Sequence, residues 1–175
     1  MPRLVSRIAF VSALLALPAC GGPQHQAALG ETHAARVPGA IDLSLRMANG
    51  RVVELADQRG SKVLLVVLAT YDGVSQAAMR SVSRFARDHQ DVLVLGIVAE
   101  PDAERFVPLY EETLALPFAL TYDPSSSITT GTSDLGPLEA VPSFYVIDAE
   151  GRIARRHVGF MSERDLDHFV TTAGN

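Results

Sequence analysis

Across 175 residues the sequence carries one cysteine, Cys20, and that scarcity excludes more than most motifs establish. No internal disulfide can form, although exported domains of this size often rely on them. Basic clusters are missing beyond Arg152, Arg155 and Arg156, in a chain of formal net charge −5. The phosphate-neutralising surface that nucleic acid requires is therefore absent. The apolar run Ile8 to Leu17 is ten residues long, against the about 20 that span a bilayer. Internal repeats and long low-complexity tracts are lacking as well. An apolar fraction of 47% excludes a disordered chain and leaves enough material for one domain with a real core.

What is present begins at the N-terminus. Arg3 and Arg7 precede the apolar run, and Leu17-Pro18-Ala19-Cys20 closes it. A charged start, a ten-residue apolar stretch and a small residue at its end have the pattern of a secretory signal. A cysteine at that boundary resembles the lipobox of bacterial lipoproteins, where the cysteine is lipidated and becomes the new N-terminus; Pro18 departs from the small or β-branched residue usual there. The resemblance implies removal of residues 1–19 and lipidation of Cys20. Residues 21–37, GGPQHQAALGETHAARV, then read as a flexible tether, and residues 38–175 as the folded domain. The signal holds two of the 15 basic residues and no acidic one, so the remainder balances 13 against 20, a net charge of −7. Anionic lipid repels such a chain, and membrane association must come from the lipid anchor. The expected location is the cell envelope, on the periplasmic side of a bacterial membrane, with a soluble periplasmic form as the alternative. The mature protein would contain no free thiol.

Within the domain, Ile41 to Met47 and Arg51 to Leu55 are β-prone runs separated by Ala48-Asn49-Gly50, a hairpin signal. Lys62 to Ala69, KVLLVVLA, and Asp91 to Val98, DVLVLGIV, have the continuous apolar character of strands buried on both faces. Between them Val74, Ala78, Val82 and Phe85 recur at helical spacing, up to about His89. Two such strands joined by a helix predict a right-handed βαβ unit with a parallel pair. Asp102 to Leu116 reads as helical, with Pro108 implying a kink or a start only near Val107. Phe118 to Thr121 predicts a short strand, and Asp123 to Gly136 a loop with at most a weak helix. Ser143 to Ile147 and Arg152 to Val158 predict an antiparallel hairpin around Asp148-Ala149-Glu150-Gly151. Ser162, with Asp165 three residues on, predicts the start of a last helix that buries Leu166, Phe169 and Val170.

This order resembles the thioredoxin fold in its TlpA/ResA and AhpC/TSA-like, or redoxin, form. Asn49-Gly50-Arg51-Val52-Val53-Glu54-Leu55 with Arg59-Gly60 is similar to that family's opening hairpin, and Val66 to Tyr71 to its "VxFWATW" strand end. Ala140-Val141-Pro142-Ser143-Phe144-Tyr145-Val146-Ile147-Asp148 resembles its "GVPTTFLID" segment, continued by Gly151-Arg152-Ile153 and His157-Val158-Gly159. The resemblance covers about residues 38–172. It implies an α/β architecture, a central mixed sheet flanked by helices, with an N-terminal β-hairpin extension. It also implies a cis proline at Pro142, facing the active site; a trans proline opening an edge strand is the plainer alternative.

The chain departs from the family at the redox motif itself. Aligned through Ala69-Thr70-Tyr71, Asp72 stands at the attacking cysteine of Cys-x-x-Cys and Ser75 at the resolving one. Thiol–disulfide exchange needs a thiolate and a second sulfur, and peroxide reduction needs a thiolate to oxidise. Asp72 suits a helix N-cap, accepting from the N–H of Val74 or Ser75; a base or ligand role is the alternative. Ser75 has no Gly-x-Ser-x-Gly elbow around it. His25, His33, His89, His157 and His168 show no short metal-ligand spacing, and Met47, Met79 and Met161 are scattered; no metal or other cofactor is expected. Arg152, Arg155 and Arg156 read as a solvated face or a docking site for an acidic partner. The leading reading is a membrane-anchored thioredoxin-like domain with degenerate redox positions and no catalytic residue, which binds a protein or peptide in a groove formed by Tyr71, Asp72, Gly73, Val141 and Pro142. Two alternatives stay open: an oxidoreductase of the thiol–disulfide or peroxiredoxin class working with a partner's cysteines, and a metal carrier.

Overall fold

The run KVLLVVLA becomes β3 (Val63–Leu68), and all six of its residues are buried. The computed structural model describes residues 38–174; the signal segment, Cys20 and the tether of 21–37 lie outside the described residues. Alternation along β3 sends Leu64, Val66 and Leu68 into one core and Val63, Leu65 and Val67 into a second. With each such side chain contributing roughly 1.5–3 kcal/mol on burial, this strand is the spine of both. It pairs in parallel with β4 (Leu93–Val98), from Val63 opposite Leu93 to Leu68 opposite Val98. The connection is α1 (Gly73–Asp88), so the expected βαβ unit with a parallel pair is present. On its other side β3 runs antiparallel to β6 (Ser143–Ile147), ending at Val67 opposite Ser143.

The opening hairpin is β1 (Ser44–Met47) and β2 (Val52–Glu54), with Gly50 at φ 81° in its turn. That conformation is one glycine adopts without steric cost. β1 also pairs antiparallel with β5 (Ala119–Tyr122), so the hairpin extends the main sheet. β5 lies one residue beyond the expected Phe118 to Thr121. β6 and β7 (Ile153–Val158) form the predicted antiparallel hairpin, with a bulge at Val146/Ile147. The seven strands run β2-β1-β5-β4-β3-β6-β7. This mixed sheet, flanked by helices and extended by an N-terminal hairpin, is the thioredoxin fold that the sequence predicts.

Three helices cover one face. Val82 and Phe85 of α1, Val107 of α2 (Ala103–Leu114), and Leu166 and Val170 of α4 (Glu163–Thr171) pack on Leu64, Val66 and Phe144. The opposite face is closed by Ile41, Leu43, Leu55, Leu135 and Ile128 of the one-turn α3 (Ser127–Thr130). A start of α2 near Val107 is corrected: the helix begins at Ala103 and contains Pro108. Proline in its sixth position removes only the bond toward the Glu104 carbonyl, while Arg105 N–H donates to Asp102 at 2.8 Å and secures the first turn. Among the described residues no helix is long and apolar enough to cross a membrane.

Candidate functional site

Beyond Leu68 the chain turns within four residues from a wholly buried strand into α1, and Asp72 supplies the N-cap. Its backbone is extended (φ −90°, ψ 120°), and its carboxylate accepts from the Ser75 N–H at 2.6 Å. The Ser75 hydroxyl first, then the Ser75 N–H and, more weakly, the Val74 N–H hold the Asp72 carboxyl below its ordinary value of 3.8. Hydrogen bonds to the charged form have that effect. Ser75 is 0% exposed, and its Oγ accepts from the Ala69 N–H at 3.3 Å. The two positions therefore interlock: one caps the helix, and the other ties the helix back to the strand end.

Thr70 is the hub of this turn. Its N–H and its hydroxyl each lie 2.6 Å from a carboxyl oxygen of Glu100. Its carbonyl receives Gln76 Nε2 at 2.8 Å and the Tyr110 hydroxyl at 2.9 Å. Glu100, 8% exposed, follows β4; Gln76 is on α1 and Tyr110 on α2, so three elements clamp one residue. Immediately beside it Tyr71 is 76% exposed. An aromatic side chain is thus presented to solvent on a fixed backbone.

The antiparallel register that sets Val67 opposite Ser143 brings the segment before β6 to the same end of the sheet as residues 69–72. There the Val141–Pro142 bond is cis, as the resemblance implied. Pro142 is buried and Val141 half-buried. The Gly159 N–H donates to the Pro142 carbonyl at 2.8 Å, and Ser143 Oγ to the Ala140 carbonyl at 2.6 Å, fixing this segment as firmly as the loop it adjoins.

The first turn of α1 holds a carboxylate and a hydroxyl, and no thiol occurs among residues 38–174. The Ser75 hydroxyl is wholly buried, accepts from the Ala69 N–H and bonds to the Asp72 carboxylate. Of the histidines, His89 pairs with Asp167 at 2.7 Å and stacks on Phe85 at 4.3 Å, while His157 sits between Phe144 and Phe169. No group of three or more His, Cys, Asp or Glu among the described residues is placed to hold a metal ion. Arg155 donates to the Thr172 carbonyl; Arg156 donates to Pro137, pairs with Glu139 and lies over the Tyr145 ring. Both have internal partners, and only Arg152 of the three fits a simple solvated face. Sequence reasoning missed Glu100, Gln76 and Tyr110. Glu100 alone carried a signal, an acid two residues after a buried strand, where sites in α/β sheets gather.

A family model described as Redoxin matches residues 33–171. Over 131 residues the chain is 28% identical to the thioredoxin-like protein YneN of Bacillus subtilis (strain 168), covering 73% of this chain and 74% of that protein. Among solved structures it resembles MTB dsbF, in its mixed oxidized and reduced forms, with a TM-score of 0.66, 19% identity and coverage of 78% of this chain and 98% of that one. The exposed lipoprotein thioredoxin Etrx1 of Streptococcus pneumoniae strain TIGR4 gives a TM-score of 0.59 at 22% identity, covering 73% and 96%. StoA of Bacillus subtilis gives 0.60 at 15% identity, covering 75% and 96%. At these identities the structural likenesses bear on the fold.

Proposed function

Because this chain belongs to the Redoxin family, a thioredoxin-like family related to thiol–disulfide oxidoreductases, we propose that it keeps the family's peptide-binding surface and has given up its redox chemistry. It is an extracytoplasmic domain anchored by a lipid on Cys20, and it binds an extended segment of a protein partner. The binding surface comprises Tyr71, Asp72, Gly73, Val141 and Pro142. The observation that carries this reading is the contrast at the loop: Thr70 is clamped by Glu100, Gln76 and Tyr110, while Tyr71 is exposed. A rigid frame presenting an aromatic side chain is suited to binding, because little ordering entropy is lost on association. The neighbouring half-buried Val141 supplies backbone against which an extended peptide can pair. Likeness to a protein described as an exposed lipoprotein supports the anchor.

The test combines function and location. The pure protein reduces no disulfide above a buffer blank, while a photo-crosslinking residue in place of Tyr71 captures a partner that Gly73→Glu releases. Disulfide reduction that survives controls for contaminating thiols overturns the redox part of this reading. Fatty-acid labelling that persists in Cys20→Ser overturns the anchor.

A further inference from the structure

A second groove lies between α1 and α2, with a volume of about 770 Å³, and adjoins the loop just described through Gln76 and Tyr110, which line it and hold the Thr70 carbonyl. Met79 and Ser83 are its buried floor, and Leu109 and Leu114 rise on the α2 side, 56% and 41% exposed. The α1 side is formed by Arg80, Arg84 and Arg87. Spacings of four and three residues put these arginines on one helical face, over about 10 Å of helix axis. Arg84 pairs with Glu163 at 3.0 Å; Arg80 and Arg87 have no hydrogen-bond or ion-pair partner among the described residues. In a chain of net charge −5, three arginines on one helical face beside two exposed leucines are a local inversion of the overall charge, and a basic cluster additional to Arg152, Arg155 and Arg156 that only the helix brings together.

We propose that this groove is a docking site for an acidic amphipathic helix of a partner protein, built on side chains other than those of the surface around Tyr71. An apolar stripe of such a helix meets Leu109 and Leu114, as amphipathic helices do in hydrophobic grooves. Acidic residues one turn apart then face arginines one turn apart, because both helices share the same rise per residue. The distribution of charge selects this occupant over an anionic lipid. A lipid carries its charge at one end, whereas the arginines extend along the whole wall.

The experiment titrates the isotope-labelled full-length chain with a designed 14-residue helix bearing leucines on one face and glutamates one turn apart beside them. Its counterpart with lysine for glutamate and the single-chain lipid dodecanoate serve as comparison probes. The expected result is saturable chemical-shift change centred on Met79, Ser83, Leu109 and Leu114 with the glutamate helix alone, weakening as salt rises. The double change Arg80→Glu with Arg87→Glu, at exposed positions and with an unchanged Tm, weakens binding by at least about tenfold. Leu109→Asp does the same through the apolar wall. Equal binding of the two helices, an affinity unaffected by these variants, or saturation by dodecanoate without the glutamate helix overturns the proposal.

Discussion

The starts of α1 and α4 use the same device on very different foundations. At α4, Ser162 accepts from the Asp165 N–H at 3.3 Å, and Asp165 accepts from the Ser162 hydroxyl at 2.7 Å. Asp165 is exposed, and the first turn is tied to α1 by the surface pair Arg84–Glu163 at 3.0 Å. At α1 the order is reversed, Asp72 before Ser75, and the third residue is wholly buried and bonded to the preceding strand. Behind it stands the Thr70–Glu100 clamp, and beside it the cis Val141–Pro142 bond. A cap needs only one acceptor. The additional structure at α1 ties the cap to the end of β3, to Glu100 after β4 and to α2, which capping alone does not require.

The largest effect that separates the two helix starts is at Glu100. Glu100→Ala strands two buried donors of Thr70, and denaturant unfolding is expected to show a loss of about 3 kcal/mol. Glu100→Gln is milder, near 1 kcal/mol, since one oxygen still accepts from the Thr70 N–H and the hydroxyl can turn to accept from the amide. At α4, Ser162→Ala costs no more than about 1 kcal/mol. If Glu100→Ala costs no more than Ser162→Ala, the two starts are alike and the comparison fails.

Ser75→Ala comes next, at about 1–2 kcal/mol, because the buried Ala69 N–H loses its acceptor. Asp165→Ala, which exposes no such group, is expected to cost less than half as much in the same assay.

Acid sensitivity is the smallest difference. The folded carboxyl of Asp72 is held below its ordinary value of 3.8. Its stabilisation is complete above that value and is lost as pH falls through the folded one. Asp72→Asn keeps a capping acceptor without the charge. Thermal melts between about pH 5 and pH 3 should therefore show the unaltered chain losing more of its Tm than this variant. Parallel curves would assign the Asp72 bonds no role in the charged state.

The fold was legible because its signals are local. KVLLVVLA could be little but a strand buried on both faces, and Asn49-Gly50 marked a turn that the structure builds with Gly50 at positive φ. Pro108 misled because proline six residues into a helix removes one hydrogen bond without ending the helix, given an apolar face to pack. Asp72 was readable as a cap from its place before a helical period. The clamp was not, since Thr70 meets Glu100 and Tyr110 across 30 and 40 residues of sequence, and only the sheet order brings them together. Gly96 was silent for the same reason. A Cβ there would lie 2.6 Å from Leu120 Cδ2, an approach between β4 and β5 that no local pattern encodes.

The most direct test of the central claim, that positions 72 and 75 are the redox positions of a redoxin scaffold, is a thiol titration. The double variant Asp72→Cys with Ser75→Cys places two sulfurs at the first turn of α1, next to Pro142. The free N–H groups and the helix dipole should stabilise a thiolate at position 72. The account predicts that the reduced variant titrates there clearly below about 8.5, the value of a free thiol, and closes to an internal disulfide on oxidation. A folded variant whose thiol at position 72 titrates like free cysteine and never pairs with that at position 75 would contradict the alignment, and with it the binding surface proposed around Tyr71.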